Sequence, residues 1–126
     1  MRAEVAILGG GMAGGLLARQ LRRALPGLRV ALLERDPAPS YKVGESLVEM
    51  GSHYLIRRLG LSRYLYEHHL PKNGLRYFFD TEGADAPLAA MSEVGTVNLP
   101  FHPAFQVDRA RLDADLRAMN AEAGVE

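Results

Sequence analysis

An α/β fold built around a nucleotide-binding βαβ unit is predicted by three features of residues 1–35. An apolar run, Glu4-Val5-Ala6-Ile7-Leu8, reads as a buried parallel strand. It leads directly into Gly9-Gly10-Gly11-Met12-Ala13-Gly14, which fits G-x-G-x-x-G at Gly9, Gly11 and Gly14. After a helical pattern, a second apolar strand, Arg29-Val30-Ala31-Leu32-Leu33, delivers Glu34 roughly 20 residues beyond Gly14. Strand, glycine turn, helix, strand and acid at this spacing make a Rossmann-like unit.

Each part has a mechanical role. Gly9 permits the tight turn, Gly11 lets a pyrophosphate approach the backbone, and Gly14 lets helix and strand pack closely. In the helix, Ala13, Leu17, Leu21, Ala24 and Leu25 form the apolar stripe, with Arg19, Arg22 and Arg23 mostly off it. Pro26-Gly27 ends it. The helix N-terminus offers unpaired N–H groups to phosphates. Glu34 is placed to accept hydrogen bonds from both hydroxyls of an adenosine ribose, which suits FAD or NAD and repels the 2′-phosphate of NADP.

The next stretch departs from a plain dinucleotide domain. Pro37-Ala38-Pro39-Ser40 is a turn-rich connection, followed by Tyr41-Lys42-Val43-Gly44-Glu45-Ser46. Leu47 to Leu59 reads as a helix with Leu47, Met50, Tyr54 and Leu55 as its stripe, Arg57 and Arg58 in its last turn and Gly60 as its stop. Ser62 is the expected cap of a short helix through His69, halted by Pro71. Leu75-Arg76-Tyr77-Phe78-Phe79 reads as a strand whose aromatic side chains belong to a sheet core, Thr81 to Pro87 as a surface loop, and Val94 to Leu99 as a weaker strand. From Asp108 to Gly124 the pattern is helical again, with Asp108 as N-cap, Leu112, Leu116, Met119 and Ala123 as the stripe and Gly124 as the stop. Val125-Glu126 opens a further strand.

The expected organisation is therefore a βαβ unit at 1–35, an insertion at 36–104 and a nucleotide-fold helix at 105–124. It reads as the incomplete N-terminal portion of a larger fold, because a nucleotide crevice needs a sheet of more than two parallel strands.

Composition narrows the function. The 126 residues are 48% hydrophobic and 24% charged, as in ordinary globular domains. Fifteen basic and fifteen acidic side chains cancel, so there is no electrostatic case for nucleic acid or an anionic membrane surface. No apolar run approaches the length of a membrane span, and Glu4 and the glycines break any signal peptide, so the cytoplasm is the expected compartment. Without cysteine there are no disulfides, thiolate ligands or thiol nucleophiles. A metal site is not expected either: His68 and His69 are adjacent and diverge on a helix, and Glu49 and His53 lack a third ligand.

Five segments together carry a family resemblance: Gly9 to Gly14, Glu34-Arg35, Val43-Gly44-Glu45-Ser46, Lys72-Asn73-Gly74-Leu75-Arg76-Tyr77-Phe78 and Gln106-Val107-Asp108-Arg109-Ala110-Arg111-Leu112-Asp113. In that order they resemble the N-terminal part of the flavin-dependent halogenases, the tryptophan-halogenase-like branch of the FAD monooxygenase superfamily. The resemblance covers almost the whole chain and implies the larger fold of that superfamily.

It also implies roles. Gly9, Gly11, Met12, Ala13 and Gly14 would wrap the FAD pyrophosphate, and Glu34-Arg35 would stand at the ribose. Val43, Glu45 and Ser46 would lie in a strap along the flavin, and Gln106 and Arg109 would contact its ribityl–phosphate region. Lys72 matches the lysine that receives hypohalous acid and passes the halogen to substrate. The residues themselves leave simpler roles open. Lys72 fits a solvated turn, Glu45 fits a helix-capping acid ahead of Leu47, and Arg109 fits a partner for Asp113 one turn on.

The implied function is an FAD-dependent halogenase or monooxygenase. It would use reduced flavin from a separate reductase, with oxygen and, for a halogenase, halide. Its substrate would be an electron-rich aromatic or pyrrole, free or carrier-tethered. An FAD-dependent reductase of an isoprenoid-like double bond and a non-catalytic nucleotide-binding fragment are the alternatives.

Overall fold

The computed structural model describes residues 2–38, 40–80 and 86–126. Strand β1 (Val5–Leu8), helix α1 (Met12–Ala24) and strand β2 (Val30–Leu33) form the expected βαβ unit, with β1 and β2 parallel and Val5 opposite Val30. The segment after the last helix returns to the free edge of β2. Glu126 N–H donates to the Val30 carbonyl at 3.0 Å and its carbonyl accepts from Leu32 N–H at 2.7 Å, a parallel ladder, as the strand signal at Val125-Glu126 implies.

The buried face of α1 differs from the expected stripe. Gly15 and Ala18 are buried, whereas Ala13, Ala24, Leu17 and Leu25 are exposed. Helix α4 (Arg109–Glu122) sets this face: a Cβ on Gly15 would already be in contact with Leu116 at 3.5 Å. Small residues are what let the two helices approach, so the larger side chains turn outward. Two of the arginines expected off the stripe bond inward. Arg19 Nε donates to the Leu59 carbonyl at 3.2 Å, and Arg22 reaches the carbonyls of Pro26, Leu28 and Ala123.

Residues of the insertion pack the main core. Leu55, Leu59, Leu61 and Leu65 meet Phe105, Val107, Leu112 and Leu116. The helix expected from Leu47 starts at Glu49 as α2 (Glu49–His53) and continues as a π-helical turn, Tyr54–Arg58. Met50, expected on its apolar stripe, is 83% exposed, and the buried face runs through Ser52, Leu55 and Leu59 instead. Helix α3 (Ser62–His68) follows, preceded by Leu61 without a side-chain cap, so Ser62 is its first residue rather than its cap.

Two strands went unread in the sequence, β3 (Leu70–Lys72) and β6 (Ala104–Gln106), which pair antiparallel. Residues 104–106 are thus strand, and α4 begins only at Arg109 with Asp108 as its cap, accepting from Arg111 N–H at 3.1 Å. Pro71 is the middle residue of β3, opposite Phe105, whose carbonyl bonds the other way, to Leu47 N–H at 2.9 Å. The missing proline N–H therefore costs the ladder nothing.

Strands β4 (Arg76–Phe79) and β5 (Ser92–Gly95) form a separate hairpin-like pair. Tyr77, Phe78 and Phe79 are exposed on it, not in a sheet core, because β4 and β5 pack chiefly on each other. The later strand ends at Gly95 and does not reach Leu99. Residues 81–85 of the expected loop lie outside the described residues.

Candidate functional site

The glycine turn lies at the carboxyl ends of β1 and β2, where a doubly wound fold binds its ligand. Three of its glycines differ in what the chain demands of them. Gly9 has φ +105, the left-handed region that a side chain disfavours. A Cβ on Gly14 would lie 1.8 Å from the Gly9 carbonyl oxygen, so helix and strand meet only through glycine. A Cβ on Gly11 would meet nothing nearer than Asp113 Oδ2 at 3.7 Å and Lys42 Nζ at 3.9 Å. Those are ordinary contact distances, so the chain itself does not need glycine there, whereas a phosphate lying against the turn would.

Glu34 closes the other side. Its Oε2 accepts from Gly10 N–H at 2.6 Å and its Oε1 from Asp36 N–H at 3.0 Å, with Arg117 Nη2 at 3.7 Å. The Asp36 and Gly10 amides, with Arg117 and Lys42 behind them, hold its carboxyl below the ordinary 4.5. An ionised carboxylate has lone pairs left for ligand hydroxyls. Leu8, Gly9, Leu33, Glu34 and Arg35 line an open groove of ≈ 470 Å³, and Arg35 pairs with Asp36 at 3.3 Å. Met12 packs against the core at the start of α1, and Ala13 beside it is exposed.

The second group of site residues sits on β6 and its neighbours. Residues 45–47 run antiparallel along the edge of β6 away from β3: Val107 N–H donates to the Glu45 carbonyl at 2.8 Å, and Ser46 bridges Gln106. Directly opposed residues share a face, so Ser46, Gln106, Ala104 and Lys72 lie on one side of this patch and Phe105 on the other. Lys72 Nζ donates to Ser46 Oγ across β6. Lys72 is therefore the last residue of a strand and not a free turn residue.

Arg109 joins the two groups. It is 9% exposed, and its Nε and Nη2 close on both oxygens of the fully buried Asp113 at 3.2 and 3.1 Å, the protein partner that the spacing suggested. Its Nη1 donates to the Val43 carbonyl at 3.0 Å. Its own N–H donates to Glu45 Oε1 at 3.3 Å, so Glu45 caps α4 and not the helix ahead of which it stands. Val43 is otherwise exposed, as is Gln106.

Lys42, Asp113 and Arg117 were not expected at the site. Asp113 was readable only as a partner one turn beyond Arg109, and Arg117 sits two turns beyond it with no motif of its own. Arg117 reaches the carbonyls of Gly10, Asp36 and Pro37 at 3.4, 3.1 and 3.4 Å. Among the described residues no group of three or more metal-ligating side chains converges, and no helix is long and apolar enough to cross a membrane.

A glycine turn of this shape, ending on an ionised acid, defines a dinucleotide-fold protein. Comparison with known proteins narrows that class: the tryptophan halogenase family profile matches residues 4–78, and the chain belongs to that family. It is 34% identical over 125 residues to the flavin-dependent halogenase chlA of Dictyostelium discoideum, covering 92% of this chain and 21% of that protein. It is 32% identical over 130 residues to the flavin-dependent halogenase armH3 of Armillaria mellea, covering 99% and 23%. Among solved structures it resembles the flavin-dependent brominase Bmp2, with TM-score 0.76 and 27% identity over 100% of this chain and 29% of that one. The myxobacterial chondrochloren halogenase CndH, an FAD-dependent halogenase, gives 0.74 and 29%, over 98% and 27%. The chain thus spans between a fifth and a third of the length of these relatives. The fold is that of the FAD-binding N-terminal region of such enzymes.

Proposed function

We propose that the protein containing this chain is an FAD-dependent halogenase. The observation that carries this reading is the linkage of the two residue groups by Arg109: it bonds Asp113, which stands beside Gly11 of the glycine turn, and it bonds Val43 and Glu45 of the segment whose Ser46 accepts from Lys72. The residues fit FAD. Gly9 to Gly14 would receive the pyrophosphate, Glu34 with Arg35 the ribose, and Val43, Glu45, Ser46, Gln106 and Arg109 would border the ribityl and flavin end. When bound and reduced by a separate flavin reductase, FAD would supply hypohalous acid from oxygen and halide.

The chain's own residues would then direct an oxidant that otherwise diffuses away. An ammonium at Lys72 would donate hydrogen bonds to hypohalous acid, and a free amine there would take its halogen as a haloamine, the O–halogen bond breaking and the hydroxyl leaving as water with an amine proton. Either way the halogen passes to an electron-rich carbon of a small aromatic or pyrrole, which loses a proton. Ser46, accepting from Lys72 Nζ, holds the amine over the patch.

Replacement of Lys72 by alanine in the intact protein tests this. Flavin content and reoxidation should stay near those of the parent while halogenated product disappears. A variant that halogenates at the parent rate would remove Lys72 from the chemistry, and a parent that incorporates neither chloride nor bromide into a panel of electron-rich substrates would overturn the halogenase reading.

A further inference from the structure

Asp113 is fully buried, yet cationic nitrogens of two residues face it. The fork of Arg109 occupies both carboxylate oxygens, and a bidentate pair of this kind satisfies the charge by itself. Lys42 Nζ stands further off, 3.8 Å from Asp113 Oδ2, on a side chain 35% exposed. A buried acid needs one cation, and Arg109 supplies it, so Lys42, whose charge also acts on Glu34, is the more loosely held of the two cations. Lys42 Nζ also stands beside the glycine turn, since a Cβ built on Gly11 would lie 3.9 Å from it and 3.7 Å from Asp113 Oδ2.

We infer that Lys42 is a binding residue for the cofactor's pyrophosphate, an inference that rests on the FAD reading above. Its backbone is fixed by the next residue, because Arg109 Nη1 holds the Val43 carbonyl at 3.0 Å. The side chain is then free to choose between two anions. Without ligand it rests near Asp113. With a doubly charged pyrophosphate against Gly11 it turns to the phosphate oxygens, and Asp113 loses nothing, because its Arg109 pair stays intact. The same move offsets the repulsion between the buried carboxylate and the incoming phosphates. Lys42 thereby favours ligands that carry the pyrophosphate itself.

Titration of the intact protein with FAD and with ADP, at low and at high salt, tests the assignment. Lys42→Gln should weaken both ligands by about ten- to a hundredfold at low salt, the range of a charge-assisted hydrogen bond. The deficit should shrink as salt screens the parent's contact, and Lys42→Arg should recover most of the affinity. Two results would overturn the inference: parent-like binding by Lys42→Gln at both salt levels, or a deficit that is equal at both and not recovered by arginine, which makes Lys42 a packing residue. If Lys42→Gln does not fold, the Lys42→Arg variant and the parent's own salt dependence decide, and salt-independent ADP binding by both is the negative result. A parent that binds neither FAD nor ADP would overturn the cofactor reading and this inference with it.

Discussion

The same substitution at Gly11 and Gly14 should have opposite consequences. A methyl group on Gly14 would sit 1.8 Å from the Gly9 carbonyl oxygen, a backbone atom that cannot swing aside. Gly14→Ala should therefore destabilise the fold by about 3 kcal/mol or more, the upper range of overpacking. On Gly11 the methyl meets nothing closer than 3.7 Å. Gly11→Ala should change stability by less than about 1 kcal/mol, the loss of a glycine cap at most, and still impair FAD binding, because the methyl fills the phosphate's space. Thermal melts and flavin titrations of both variants separate the effects. A Gly11→Ala protein with full flavin affinity would place the pyrophosphate elsewhere. The glycine spacing and Glu34 were legible in the sequence because each answers to a local geometric demand. Lys42 and Arg117 were not, because their partners lie in Asp113 and the Gly10 carbonyl, far along the chain.

At the scale of elements, helices α3 and α4 are joined by a relay through His69, which is 6% exposed. Its Nδ1 accepts from Asp108 N–H at 3.3 Å, its Nε2 meets Tyr64 Oη at 3.1 Å, and Tyr64 donates to Asp115 Oδ2 at 2.8 Å. Burial, reinforced by Arg111, lowers the His69 pKa below 6.5, and burial with Asp115 pushes that of Tyr64 up. A proton on Nδ1 would also confront the Asp108 N–H. The unfolded chain thus binds the proton at higher pH than the folded one does. Stability is complete above the unfolded value of 6.5 and declines as pH falls through the folded value. Melting temperature should drop as the pH falls below the unfolded value of 6.5, and His69→Gln should flatten that drop. An equal drop in both proteins would move its cause to another group.

The elements legible in advance were those with a periodic pattern or a turn signal: β1, α1, β2, α2, α3, β4 and α4. Strands β3 and β6, three residues each, have too few positions to show alternation, and Pro71 argues against the first. The stripe of α1 was misread because its buried face is made of Gly15 and Ala18, which carry almost no hydrophobic signal.

For the whole molecule, the question is where the apolar surface is left uncovered. On α4 it is not, since Leu112 and Leu116 are buried against the insertion. One stretch of uncovered apolar surface lies around β4 and β5 and the segment beyond. Tyr77, Phe79 and Val94 are more than half exposed, and Val97, Leu99 and Phe101 are 94%, 79% and 95% exposed. Surface of this kind drives association. The 126-residue chain on its own should elute from size exclusion as larger than a 13.8 kDa monomer, and serine at Leu99 and Phe101 should shift it toward the monomer. A monomeric parent at micromolar concentration would show that these side chains find cover within the chain.

The antiparallel run of residues 45–47 along β6 bears on recombination. Residues 43–47 are held by Phe105, Val107 and Arg109, and Ser46 by Lys72, so the structural unit is not contiguous in sequence. A crossover between two family members anywhere from 47 to 104 would bring the strap of one parent against the β6 and α4 of the other. Chimaeras that keep 42–113 from a single parent preserve the whole assembly, with Lys42 and Asp113 at its two ends.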